Sequence, residues 1–461
     1  MVIFATGRGG GTLNADKASG AGGFAVFKRL YDSEKKPKLA LDLGGWTAAT
    51  PEGRLQRGRP AAACLAAVPY AAAGVGFDDL SLPPVDLQRL AEEQAVTPLL
   101  AANLYLKSNK KPPFLRSYAL AQAGGRKIGV LSLAVNSPAK PNTPKHLPNY
   151  RLEKESYEAE RAIRALKEAG AQLTVLLLAV NPKEKAAPDY FKTFLAKLPR
   201  VDLVITDEPT LKKPFRAGKT WVAPAGLGLT HAARLTLTLE SPGGRVNGLS
   251  FKRIELDAGK YGEDPGMLKV IAGYRGAASA HFAKKVGVLK APLPLREGNL
   301  SPAADFAADC MRRWARTNAA IIGLSELAAG LPAGPVTLGD LHSALPLDSS
   351  VVFVKIRGDD LERALAGLTP AELSVSGLRL FLRDGALERA EGENGPLTPG
   401  KVYHLAVPDS LVSGRENPVL SSAMEFANSK RSLREVVGWC FSRQSSFARP
   451  AGGRIIKAGN D

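Results

Sequence analysis

At 461 residues, 45% hydrophobic and 23% charged, the chain has the make-up of a water-soluble globular protein long enough for roughly two to three domains. No apolar run reaches the ~20 residues of a membrane span, and three scattered cysteines with five histidines argue against zinc ribbons, thioredoxin chemistry, c-type haem and a histidine-rich metal centre. The net charge of +18 reads either as attraction to an anionic partner or as a solvated basic surface. Its clusters, at 107–113, at 211–219 and after Ser429, lack the interleaved aromatics of a nucleic-acid surface, so nucleic acid is the less favoured class.

In chain order, the first half alternates strands and helices. An apolar run from Val2 to Ala5 meets a glycine cluster, Gly7 to Gly11, with Arg8 inside it. A buried strand follows at 38–45, then an alanine-rich helix and a short strand at 60–76, and a strand at 126–135. Ala159, Ile163, Leu166 and Ala169 fall at helical spacing within 156–171, with Gly170 as the stop. Buried strands are expected at 172–180 and 200–207. Period-two alternation over 234–256, around Gly243-Gly244, signals a hairpin.

Turn residues at 257–266 mark a break. A helix is expected from Asp264 or Pro265 to about Lys285, and a second region opens with a helical segment at 296–315, then a strand and helix at 348–365. The domain reading is 1–258, a helical linker at 259–290, and 291–461. In the basic tail, the last helix and a closing strand are expected, with Trp439 and Phe441 as core. The cysteines read as buried free thiols.

The opening glycine loop fails both phosphate-loop patterns. The sixth position of G-x-G-x-x-G, counted from Gly7, is Thr12, and no G-K-[ST] follows. An anion nest of backbone N–H groups is one reading of what is left. No G-x-S-x-G elbow supports a triad of Ser325, His231 and Asp202, and His146 and His281 are isolated. Chemistry is expected instead at the loops that end the apolar strands, 6–12, 43–47, 74–80, 179–183 and 205–210, where α/β folds build their sites.

Those loops carry a resemblance. Thr6-Gly7-Arg8-Gly9-Gly10-Gly11-Thr12-Leu13 stands where the 5'-nucleotidase family has T-N-D-x-H-G-x-L, and residues 20–30 resemble its G-G-x-A-R. Leu41-Asp42-Leu43-Gly44-Gly45 resembles L-D-x-G-D, and Gly76-Phe77-Asp78-Asp79 resembles G-N-H-E. Leu177-Leu178-Ala179-Val180-Asn181 stands for L-S-H-L-G, and Thr206-Asp207-Glu208-Pro209-Thr210 for G-G-H-T-H. In the second half Glu297-Gly298-Asn299-Leu300 resembles the E-x-N-L start, and 323–328 the N-x-G-G-I-R substrate loop. Residues 334–365 are the best match, 374–380 resemble the S-G-x-R/K strand, and 403–418 resemble Y-x-V-A-x-x-D-F-L-x-x-G-G-D.

The chain is thus similar to two-domain metallophosphoesterases of the 5'-nucleotidase and UDP-sugar hydrolase type. The resemblance implies a four-layer α/β/β/α sandwich followed by a smaller α+β domain, and a periplasmic or extracellular setting, although no leader is visible. It also implies a vacated metal pocket at Arg8, Gly10, Gly45, Asp78, Ala179, Glu208 and Thr210, and a vacated substrate loop at Gly323, Ala328 and Ser410, where the family's base-stacking Phe falls. No catalytic residue, metal or other cofactor is expected.

Arg8 either takes the place of a lost ion and pairs with Asp78, Asp207 or Glu208, or points to solvent. Trp46 is expected to fill space left by the ligands. The expected function is a catalytically inactive relative that serves as a binding or structural subunit for an acidic partner or assembly. The alternative is an active phosphoesterase with a rewired carboxylate site of Asp78, Asp79, Asp207 and Glu208, able to hold Mg²⁺ or Ca²⁺.

Overall fold

Strands that are apolar on both faces need cover on both sides, and this requirement sets the architecture of the first half. The computed structural model describes the whole chain except residues 16–19, 48–49, 94–96, 140–144, 148, 182–187, 241–245, 299, 348, 369–371, 414–422, 445 and 458–461. The chain divides into two units, Met1–Ala278 and Ser279–Asp461.

In the first unit the opening strand Val2–Gly7 lies at the centre of a sheet. On one side it pairs in parallel with Lys38–Asp42, which leads on to Tyr70–Gly74 and Leu99–Leu100. On the other it pairs antiparallel with His231–Leu239, whose partner Val246–Glu255 forms the border. A second sheet runs in the order Phe215–Ala217, Thr220–Pro224, Leu203–Thr206, Leu173–Val180, Arg126–Val135, Tyr118–Ala123.

Alternation along each strand decides the layers. Ile3, Ala5, Leu39 and Leu41 from the first sheet meet Ile128, Val130, Val175 and Leu177 from the second in one core between the sheets. Val2, Phe4 and Ala40 turn the other way, onto the helices Phe24–Ser33 and Arg59–Ala67. Leu176 and Leu178 of the second sheet cover Ala159, Ile163 and Leu166 of the helix Glu155–Glu168. The result is the α/β/β/α sandwich expected from the motif order. Each fully buried Leu or Phe in such layers contributes about 1.5–3 kcal/mol of transfer free energy.

The second unit follows the α+β expectation. A five-stranded sheet, in the order Leu373–Ser376, Ala319–Gly323, Val402–Pro408, Ser350–Arg357, Glu425–Ser432, carries the helices Pro302–Ala315 and Leu433–Arg443 against one core. The basic tail closes a smaller sheet through Ile455–Lys457, which pairs in parallel with Leu378–Arg383. Arg454 holds it there by donating to Asp309 Oδ2 at 2.7 Å and to the Asp305 and Val375 carbonyls.

The structure departs from the sequence reading at several places. The stretch 259–290 is not one helical linker. The helix Pro265–Phe282 buries Met267 and Ile271 in the first unit's core, so that unit extends past residue 258. A short helix, Ala258–Tyr261, precedes it, capped by the Asp257 carboxylate, and this local cap is what a count of turn residues misses. Residues Lys285–Leu289 form a strand that pairs with Gly334–Thr337 and Ser446–Phe447. Gly287 is needed there because a Cβ would stand 2.2 Å from the Phe441 ring. Phe441 is core, but Trp439 is only half-buried, with Arg443 over its ring. All three cysteines are buried and free, and the expected Gly-Gly hairpin turn lies outside the described residues.

Candidate functional site

The parallel strands deliver their loops to one end of the first unit's sheets, the end where such folds place chemistry. Gly7 ends the opening strand, and Arg8 follows with φ at 48°, a left-handed backbone that costs a non-glycine residue about 1–2 kcal/mol. Three contacts hold it. Its amide donates to the Gly44 carbonyl at 2.8 Å, its Nε to Asp207 Oδ2 at 2.8 Å, and its second guanidinium nitrogen to the Val180 carbonyl at 2.8 Å. Asp207, almost wholly buried, also accepts from the Val180 amide at 2.7 Å. Burial pushes the Asp207 carboxyl up, and the Arg8 charge works against that shift. One cation therefore joins the loops after Val2–Gly7, Leu173–Val180 and Leu203–Thr206.

The amides of the glycine cluster are not an open nest. Gly10 N donates to the Gly45 carbonyl at 2.7 Å, Gly11 N to the Trp46 carbonyl at 3.1 Å, and Thr12 N to the Gly9 carbonyl at 2.9 Å. The anion-nest reading is thereby overturned, because these donors are spent on neighbouring backbone. The first two loops are zipped together main chain to main chain. Gly44 comes so close to the third loop that a Cβ on it would lie 2.1 Å from Gly76 N. Gly45 is packed the same way, since a Cβ there would meet Arg8 Cα at 3.0 Å and Asp78 Oδ2 at 3.4 Å. Trp46 is fully buried and donates its indole N–H to the Gly74 carbonyl at 3.3 Å, so it fills space.

Asp79 organises this arrangement, and the sequence reading misses its role. Its carboxylate accepts from the amides of Gly45, Trp46, Thr47 and Gly76 and from the Thr47 hydroxyl, at 2.6–3.1 Å. The Asp-Asp pair after a glycine turn is the available signal, but nothing local says which of the two turns inward. Asp42 is likewise buried, accepting from the Thr6 hydroxyl at 2.6 Å and the Gly44 amide at 2.8 Å. Glu208 accepts from the Thr210 amide and hydroxyl. Asp78 is exposed, its carboxyl pushed up by desolvation against the pull of Arg8. Ala179 is buried in its strand and offers no ligand atom.

These residues do not fit the two-ion cage that the resemblance implies. Such a cage needs oxygens and imidazoles converging on ions about 3.5–4 Å apart, with a position left for water. Here Asp207 is taken by Arg8, Asp79 and Asp42 by backbone and hydroxyl donors, and Glu208 caps its own loop. Among the described residues no group of three or more His, Cys, Asp or Glu side chains is gathered in a form that could hold a metal ion.

Asp42 and Asp79 have a measurable consequence. Burial lifts Asp42 to about 7 and Asp79 to about 6, against the pull of their hydrogen-bond donors. A carboxyl whose pKa is higher in the folded chain binds its proton more tightly there, so protonation favours folding. That contribution is fully present below the unfolded value of ~3.9 and is lost as pH rises through about 6 to 7. Thermal melts should therefore show a higher midpoint at pH 5.5 than at pH 8, and Asp42→Asn should flatten the slope.

In the second unit the structure places the residues that the resemblance aligns with a substrate loop as follows. Gly323 ends a buried strand, and Leu324–Glu326 forms a single 3₁₀ turn. Glu326 is buried and accepts a short hydrogen bond from the Ser410 hydroxyl. Ala328 is exposed, with its amide on the Ala344 carbonyl. A buried carboxylate thus ties the 323–328 segment to Ser410. Arg415 and Glu416, the sequence's counterpart of the final Gly-Asp, lie outside the described residues. His231 contacts Thr230 and Arg253, and Asp202 serves Arg200 and the Thr174 amide, so neither joins a triad. His281 packs edge-on to Phe282, and the side chain of His146 lies outside the described residues.

Comparison with known proteins agrees with this frame. Residues 285–422 match the family model described as 5'-nucleotidase, C-terminal domain. Protein UshA of Yersinia enterocolitica is 22% identical over 472 residues, spanning 88% of this chain and 84% of the relative. Among solved structures, a 5'-nucleotidase precursor from Thermus thermophilus superposes with a TM-score of 0.67 at 18% identity, covering all of both chains. A Staphylococcus aureus protein described as a putative 5'-nucleotidase reaches 0.74 at 12% identity, covering 99% of each.

Proposed function

We propose that this chain of the 5'-nucleotidase family, which presents no donor set for two ions among its described residues, is a catalytically inactive member that works by binding, as a subunit or docking protein for an acidic partner. One observation carries the proposal. The Arg8 guanidinium sits on Asp207 at 2.8 Å, with a further bond to the Val180 carbonyl. A fixed side-chain cation thus joins the strand-end loops that would have to surround mobile ones. Charge-assisted pairs of this kind are directional and permanent, whereas a catalytic ion must leave an open coordination position for water.

The rewired carboxylate reading loses support from the same geometry, because Asp79 and Asp207 are already committed and Asp78 alone faces outward. The net charge of +18 supports an anionic partner, since fields of that size raise encounter rates with acidic surfaces. A periplasmic or extracellular setting is part of the proposal, carried by the family resemblance. No helix among the described residues is long and apolar enough to cross a membrane.

The test is metal analysis of purified protein, combined with assays of nucleotide and generic phosphodiester hydrolysis in Mg²⁺, Mn²⁺ or Ca²⁺. The expected result is no stoichiometric metal, no turnover above a heat-inactivated control, and a melting temperature unmoved by EDTA. Two ions per chain together with turnover would overturn the proposal.

A further inference from the structure

We propose that the groove formed by the border strand Val246–Glu255 and the short helix Ala258–Tyr261 is the docking site for an acidic, extended segment of a partner protein. This rests on the binding role proposed above and gives it a place and a chemistry. The groove has a volume of about 710 Å³, and its charged lining is Arg234, Lys252, Arg253, Lys260, Glu255 and Asp257.

Three features set it apart from a merely solvated surface. First, register places Arg234 directly opposite Lys252 on neighbouring strands, a like-charge pair that a sheet normally avoids. Glu34 neutralises Arg234 by accepting from its Nε at 2.9 Å, and among the described residues no carboxylate lies within ion-pair reach of Lys252, Arg253 or Lys260. Second, Asp257 turns to the helix cap, accepting from the Gly259 and Lys260 amides, and the four cations of the lining outnumber its two carboxylates. Third, Val246–Glu255 borders its sheet with strand partners on one side only. Beyond Asn247, whose carbonyl and that of Val246 accept from the Arg216 guanidinium at 3.4 Å, the outer side can accept an added strand, and Ser250, Lys252, Arg253 and Glu255 are exposed on the two faces of that stretch.

Strand addition supplies affinity through the main chain and specificity through alternate side chains. An acidic strand alone satisfies both the border and the charge. A nucleic-acid backbone suits the groove less well, because Glu255 lies inside it and Tyr261 is its one aromatic side chain. Register also places this end of the border strand level with the loop of Arg8, since Glu255 opposes His231 and Ala233 opposes Ala5, yet the two share no residue. Docking here does not require the vacated pocket.

The test uses the full chain and a fluorescein-labelled peptide of about twelve residues alternating Glu and Thr, followed by anisotropy at roughly 50 mM salt, where charge attraction is only weakly screened. The expected result is saturable binding, weakened at least tenfold by Lys252→Glu with Lys260→Glu. Binding should stay within twofold for Lys192→Glu with Lys219→Glu, which remove charge from another basic part of the same unit. All four lysines are exposed, and a melt of each variant checks that the fold is kept. The milder pair Lys252→Gln with Lys260→Gln should give an intermediate loss. Absence of binding, equal weakening by both charge-reversal pairs, or tighter binding of a DNA duplex that the Lys252 and Lys260 changes abolish would each overturn the proposal. Metal-dependent turnover would overturn the inactive reading and leave the peptide result standing.

Discussion

Replacing Arg8 by methionine should lower the stability of the first unit by about 3 kcal/mol, because removing one partner of a largely buried pair strands the other charge. The side chains of Arg8 and Asp207 are 17% and 5% exposed, which places the loss near the lower end of the ~3–5 kcal/mol range for buried pairs. In a melt, that corresponds to a midpoint lower by roughly 6–10 °C for a domain of this size. The loss should be larger at pH 8 than at pH 5. Without the guanidinium, the Asp207 carboxyl is held up by burial alone, so the stability its proton gives is lost as pH rises.

Two companion variants separate the ion pair from the backbone. Arg8→Gly should recover about 1 kcal/mol relative to Arg8→Met, because glycine takes the positive φ without strain. Arg8→Lys should recover only part of the loss, since an ammonium cannot reproduce the two-directional bonding to Asp207 and the Val180 carbonyl. A methionine variant as stable as the native chain would show that Asp207 is solvated and that the loops do not depend on the pair.

Asp79→Ala should cost more still. Four backbone amides and one hydroxyl converge on this carboxylate, and each buried donor left without a partner costs about 1–3 kcal/mol. Water entering the space of the lost carboxylate would re-satisfy some of them, so the expected loss is about 4–6 kcal/mol rather than the full sum. Denaturant titration measures it. Hydrogen exchange at Gly45, Trp46 and Thr47 should rise well before global unfolding, a local opening that a uniformly destabilised fold would not give. Asp79→Asn keeps one acceptor oxygen and turns an amine toward the donors, so it should fall between. Unchanged exchange in the alanine variant would remove Asp79 from its organising role.

The two expected losses explain why the site is only partly legible in the chain. The glycine cluster, Gly45, the Asp78-Asp79 pair and Asp207-Glu208 are each visible as departures from the motifs the chain resembles, because such a departure is a local fact. Whether a surviving carboxylate faces the pocket, solvent or its own backbone is not local. Asp79 turns inward and Asp78 outward although they are neighbours in sequence. The difference lies in which of them meets the amides of a loop 32 to 34 positions earlier. Glu326 escapes notice for the same reason, since its partner Ser410 is 84 positions away.

The chain by itself determined the layers. Apolar runs at 2–5, 126–135 and 172–180 had to be strands covered on both faces, and the helical spacing in 156–171 had to lie over one of them, because burying apolar area is the dominant favourable term in folding and the side-chain period fixes which face is buried. The tertiary structure alone decided what joins the strand-end loops. Arg8 and Asp207 are 199 positions apart, and no periodicity connects them. They meet because the two sheets stack with their strand ends level, and a bond directed in space can be aimed only after that stacking is fixed.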